Sequence, residues 1–173
     1  MSFIGIAALV FALLQMAYFQ WFVGSAPFYA YLEFCANASA GLLNLLGEEV
    51  GVFQRTLTNH SGPSVTVVEG CDALRIFSVL VAAMVAFEAS VREKISGIVI
   101  SVSILFVLNL FRISALLWID TYYSEWFDLF HYNLLPLTLW AAAMWLFFDW
   151  GRRVTAPSPV DDGGNSGDGT AVS

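Results

Sequence analysis

Four stretches of this chain are each apolar for long enough to cross a bilayer, and that leaves few folds open. A hydrocarbon core of about 30 Å takes about 20 apolar residues of helix to span. The stretches run roughly over 3–23 (FIGIAALVFALLQMAYFQWFV), 73–90, 97–119 and 131–150. Lipid offers backbone N–H and C=O groups no partner, so each is predicted to be helical. The first lacks the basic leader and short apolar run of a signal peptide, so it reads as a span. The chain has 173 residues, 58% hydrophobic and 12% charged, which suits one membrane domain.

The basic residues set an orientation. Arg92 and Lys94 lie between the second and third stretches, and Arg152 and Arg153 follow the fourth. The positive-inside rule puts these four in the cytoplasm, with both termini, and places 24–72 and 120–130 outside. Aromatic residues gather near several ends: Tyr18, Phe19, Trp21 and Phe22; Trp118, Tyr122, Tyr123 and Trp126; Trp145 and Trp150. They read as belts at the headgroup level. Residues 28–47 have a helical pattern interrupted by Glu33, Asn37, Ser39 and Asn44, which predicts a helix in the outer interface or packed shallowly on the bundle. Residues 50–68 alternate β-branched and polar positions around Ser61-Gly62-Pro63, which predicts a short outer hairpin. The expected fold class is thus an all-α integral membrane protein of about four transmembrane helices, one interfacial helix and a short outer hairpin. The membrane-embedded domain is expected over 1–153 and a disordered cytoplasmic tail over 154–173, rich in Pro, Gly, Ser and Asp. Lys and Arg are few and dispersed, which argues against a nucleic-acid partner.

On this map three reactive side chains fall at one depth. Cys71 opens the second stretch, Arg112 lies in the outer half of the third, and His131 opens the fourth. A thiol must ionise to attack a carbonyl. A position at a helix N-terminus favours the thiolate. His131 can take and return a proton near neutral pH, and Arg112 can steady a thiolate or a tetrahedral oxyanion. Asn109, one turn before Arg112, can orient it or donate to the oxyanion. Glu69 and Asp72 are candidate contacts for a substrate's polar segment. The plainer readings make Cys71 an inert or disulfide-bonded cysteine paired with Cys35, His131 a helix anchor, and Arg112 a structural partner of Asp120 or Asp128. No metal is called for, because two histidines and two separated cysteines make a poor ligand set.

EGCDALRIF, AFEASVREKISG, LNLFRISALLWI and WFDLFHYNLLPLTLW together resemble the core of the exosortase/archaeosortase family, and its small exosortase H-type members most. The likeness covers roughly 1–150 and is strongest over 69–140. The family pattern is a Cys at the outer start of one span, Asn-x-x-Arg within the next and a His opening the one after. Cys71, Asn109 with Arg112, and His131 match it in order. The resemblance implies a membrane cysteine protease-transpeptidase without a cofactor, in the bacterial inner membrane with its site facing the periplasm or exterior. It implies a thioester acyl-enzyme, with Cys71 as nucleophile, His131 as acid and base, and Arg112 as stabiliser. The implied partner is a membrane-anchored protein with a C-terminal sorting signal, a transmembrane helix and a basic tail.

The chain departs from the family after the cysteine, where a small residue and then glycine are common and Asp72-Ala73 stands instead. Asp72 can cap the following helix, but its charge opposes thiolate formation; Arg75, three residues on, can neutralise it. Two other functions stay open. A membrane thiol-disulfide oxidoreductase would need an exchange-competent pair, and no Cys-x-x-Cys is present. A non-catalytic scaffold subunit would explain the apolar helices but not the three reactive groups at one depth.

Overall fold

The computed structural model describes residues 2–156, and all statements below concern those residues. The helices are α1 (Phe3–Ala17), α2 (Ala26–Leu45), α3 (Leu74–Ala86), α4 (Val91–Tyr122), α5 (Phe127–Leu129) and α6 (Leu135–Thr155). A π-helical turn, Tyr18–Phe22, extends α1, and another, Phe130–Leu134, joins α5 to α6. Three strands, β1 (Val50–Phe53), β2 (Thr56–Asn59) and β3 (Ser64–Thr66), form an antiparallel meander. The chain is therefore an all-α membrane protein carrying one small sheet.

Three helical stretches are long and apolar enough to cross a membrane: Phe3–Phe22, Val91–Tyr122 and Ser124–Thr155. The second expected span is the exception. Its helix, α3, has 13 residues, or about 20 Å at 1.5 Å per residue, short of a bilayer's apolar thickness. The chain leaves α3 at Phe87 in extended conformation, and α4 begins at once from Ser90. Ser90 and Glu93 form a reciprocal capping box there. Most of the loop expected around Arg92 is consequently helix. The helix α6 runs to Thr155, into the segment expected as a tail, and the rest of that tail lies outside the described residues.

Polar bonds fix the helix directions. Lys94 at the start of α4 donates to the Val85 carbonyl near the end of α3 (2.7 Å), so the two run antiparallel. Trp150 near the end of α6 donates to the Glu93 carbonyl (3.2 Å), which makes α6 antiparallel to α4. Tyr18, following α1, meets Asp72, just before α3. The basic residues Arg92, Lys94, Arg152 and Arg153 thus share one end of the bundle, and the sheet occupies the other. There Asn59 donates to Glu48 and Thr121 (3.1 and 3.4 Å), and Tyr122 donates to Glu48 (2.9 Å).

The helix expected over 28–47 exists as α2, but it runs alongside α4 and in the same direction. Tyr31 and Phe34 pack on Phe106, Ser39 bonds to Leu110 and Ser114, and the chain beyond α2 reaches Tyr122 through Glu48. The small buried residues Ala36, Ser39 and Ala40 permit this approach. The hairpin expected around Ser61-Gly62-Pro63 is β2–β3. A second hairpin, β1–β2, turns on Gln54-Arg55, with Gln54 in the left-handed region at φ 56°.

Two apolar cores result. One gathers α2, the sheet and the later half of α4, and includes Cys71. The other gathers α3, the first half of α4 and α6, and includes Ala73. The turn carrying the cysteine is the seam between them.

Candidate active site

The Gly70–Ala73 turn is tight. Gly70 has φ 92° and Ala73 φ 56°, so a left-handed alanine precedes the first residue of α3. That conformation costs a non-glycine residue about 1 kcal/mol and persists where surrounding contacts over-determine it. Four contacts do so. Asn109 of α4 donates to the Cys71 carbonyl (2.9 Å). Tyr31 of α2 donates to the Asp72 carbonyl (2.9 Å). Tyr18 donates to Asp72 Oδ2 (2.5 Å), and Leu74 N–H donates to Asp72 Oδ1 (3.3 Å). The last bond reaches the first residue of α3, but the N-cap position is Ala73 and no side chain caps this helix, so Asp72 braces the turn instead of serving as the expected N-cap.

Arg112 and His131 approach this turn. Arg112 is 9% exposed and lies within electrostatic reach of Cys71, Asp72 and His131. His131 sits in the Phe130–Leu134 π-turn, stacked on Phe127 with ring centroids 5.3 Å apart and planes 8° from parallel. Pro136 explains the widened turn. It has no N–H for the Tyr132 carbonyl and crowds it, so the helix opens one turn earlier. π-turns of this kind recur at functional sites. The thiol, guanidinium and imidazole expected at one depth are thus brought into one neighbourhood from three elements.

That neighbourhood holds unused hydrogen-bonding capacity. Arg112 Nε, Asn109 Oδ1 and His131 Nδ1 are all buried without a protein partner. Groups of this kind are rare in folded proteins and mark function or bound water. Arg112 forms no ion pair among the described residues, so the structural role with Asp120 or Asp128 does not arise.

Several expected roles change. Arg75 does not neutralise Asp72; it pairs with Glu69 at 3.6 Å on the surface and lies over the Phe19 ring. Asp72 is 1% exposed, its carboxylate engaged with Tyr18, so it offers a substrate no surface. Glu69 is exposed beside the cysteine turn. Asn109 donates one of its two amide hydrogens to the Cys71 carbonyl, and no hydrogen bond joins it to Arg112 among the described residues. Cys35 and Cys71 are both free thiols. Cys35 is fully buried, and burial raises its thiol pKa to about 11 although the Tyr31 hydroxyl opposes part of the shift. Tyr18 and Tyr31 are site residues that sequence reasoning missed. Tyr18 reads as one member of an aromatic belt, yet it is buried and bonded to Asp72.

A family model described as transmembrane exosortase matches residues 2–148, most of the chain. The chain belongs to the transmembrane exosortase family. No curated protein and no solved structure matches it. Exosortase membership carries a general expectation, a protease or transpeptidase role in the membrane with a protein substrate. Within this exosortase, Cys71, Asn109 and the approach of Arg112 and His131 lie in the matched region.

Proposed function

We propose that the protein is a membrane-embedded cysteine peptidase-transpeptidase that cleaves C-terminal sorting signals of membrane-anchored exported proteins. The observation that carries this reading is Arg112 within electrostatic reach of both Cys71 and His131, the three coming from different elements, beside a turn pinned by four hydrogen bonds. Cys71 passes its proton to an imidazole nitrogen of His131, and the thiolate attacks the scissile carbonyl carbon. Arg112 donates to the oxyanion that forms, and its fixed charge favours the tetrahedral state over the planar substrate. The C–N bond breaks as His131 returns the proton to the leaving amine. The remaining thioester is resolved by water or by an acceptor amine.

The four basic residues at one end of the bundle support an inner-membrane orientation with that end in the cytoplasm. The opposite end, with the sheet and the Cys71 turn, then faces the periplasm or exterior. A substrate's helix approaches through lipid, and its signal segment enters beside Glu69 in the cysteine turn.

The test is alkylation of the purified protein with iodoacetamide across pH, following Cys71 by mass spectrometry in the parent, Arg112→Ala and His131→Ala. The expected result is a Cys71 that reacts well below pH 8 and loses that reactivity in both variants. Reactivity indifferent to both substitutions overturns the assignment. Cys71→Ala is expected to end processing of a co-expressed substrate while leaving the protein in the membrane at its usual level.

A further inference from the structure

Asp72 is a nearly sealed carboxylate with no cation in contact with it. Its side-chain partners are the Tyr18 hydroxyl and the Leu74 N–H. A buried carboxylate costs several kcal/mol unless it is neutralised or balanced. Arg112 has the complementary difficulty, a buried guanidinium with no carboxylate in contact. The two flank the same cysteine. Arg112 senses both Cys71 and Asp72, and the intervening backbone is fixed by Asn109 and Tyr31.

The remaining titratable and charged groups here are few. Tyr18 comes from the turn after α1, and Tyr31 and Cys35 from α2. Glu69 and Arg75, near the start of α3, neutralise each other at the surface. Asp128 and His131 come from the α5 region. Arg112 is therefore the cation, and Asp72 the anion, that face Cys71 from the interior.

We propose that Asp72 is a positioning residue for catalysis: a built-in counter-ion that balances Arg112, so that Cys71 rests as a thiol and ionises only by passing its proton to His131. The charge count supports this and rests on the functional reading above. With Asp72 ionised, Arg112 charged and Cys71 and His131 neutral, these four groups sum to no net charge. Moving the proton from Cys71 Sγ to His131 gives a thiolate and an imidazolium, and the sum over the four groups is unchanged. Activation then transfers a proton inside a poorly hydrated site and releases none to solvent. Without the carboxylate, the thiolate would become Arg112's standing counter-ion. A more stable thiolate is a weaker nucleophile. Tyr18 donates to that carboxylate and holds it in place, which ties α1 to the cysteine turn.

Asp72→Asn separates this role from bracing the turn. Asparagine keeps the shape and one acceptor oxygen, for the Leu74 N–H or the Tyr18 hydroxyl, and removes the charge. In the iodoacetamide experiment, Asp72→Asn is expected to move the pH midpoint of Cys71 alkylation down by about one unit or more. In the Asp72→Asn/His131→Ala double variant the midpoint should stay low, because the thiolate no longer depends on His131. Tyr18→Phe removes the hydroxyl that holds the Asp72 carboxylate beside the cysteine turn and should shift the midpoint the same way by less, and it serves if Asp72→Asn does not fold. Midpoints that equal the parent's, or that rise, overturn the proposal and leave Asp72 a structural brace of the cysteine turn. A parent whose Cys71 ignores Arg112 and His131 defeats the functional reading itself, so the two failures are distinguishable.

Discussion

Arg112 is the residue whose placement is hardest to explain without chemistry. A guanidinium within a span costs about 2.5–3.5 kcal/mol on insertion scales, and here Nε lacks even a hydrogen-bond partner. Arg112→Lys keeps the charge but loses the planar fork. It is expected to lower processing by about 100-fold or more, the cost of one lost oxyanion donor, with protein abundance unchanged on an immunoblot. The two cysteines should differ sharply. A thiol raised to about 11 stays protonated, and hence unreactive, through neutral and mildly alkaline pH. At pH 8 iodoacetamide is expected to label Cys71 and spare Cys35, as read from the alkylated peptides, and Cys35→Ala should retain processing. Labelling of Cys35 ahead of Cys71 would reverse their roles. The residues Cys71, Arg112 and His131 were legible in sequence because reactive side chains stand out in apolar runs. Tyr18 and Tyr31 were not, because a tyrosine among phenylalanines looks the same whether its hydroxyl meets lipid headgroups or a buried carboxylate.

The helices themselves were legible where hydropathy alone decides, and less so where their ends depend on local chemistry. The α4 start follows from the Ser90–Glu93 capping box, a local signal inside a stretch that reads as a charged loop. The β1–β2 turn at Gln54-Arg55 lacks the Asn-Gly or Gly-x pattern that announces two-residue hairpins, so only one hairpin was expected. Pairing of α4 with α6 depends on Gly97, where an added Cβ would overlap the Trp150 indole. The indole also donates to the Glu93 carbonyl. Gly97→Val is expected to force these helices apart at a cost of about 1–3 kcal/mol, measured as lower thermal stability in detergent. Trp150→Phe in the same background should recover part of the loss, since it removes the larger ring. An unchanged melting temperature in Gly97→Val would show that this contact does not hold the bundle.

At the scale of the whole molecule, polar links between helices place the sheet and the basic residues at opposite ends. With the basic end in the cytoplasm, a single cysteine placed at His60 in a Cys35→Ala/Cys71→Ala background should label with an impermeant maleimide from the periplasmic side. One placed at Glu88 should label only after permeabilisation. The reverse pattern would invert the orientation. The Cys71 turn shares a core with Leu57 and Val65 of the sheet. Asn109 is about 20 Å of helix from Tyr122, so α2, the sheet and the end of α4 form walls above the cysteine turn.

The sequence by itself determined the membrane class, three of the four long apolar helices it led one to expect and the gathering of the basic residues, and it nominated the reactive trio. These follow from quantities that can be read along one dimension: hydropathy over a window, charge at its edges and the rarity of a polar group inside it. Only the tertiary structure decided that α2 runs beside α4, that α3 is short, and that Asp72 meets Tyr18 instead of Arg75. The physical reason is that α4 is apolar on nearly every side, with Val99, Ile104, Val107 and Phe111 exposed and Leu105, Leu110, Ile113 and Leu117 buried. A helix of that kind marks no face in its sequence. Its rotation and depth are set by hydrogen bonds to other helices, and those bonds are what position Cys71.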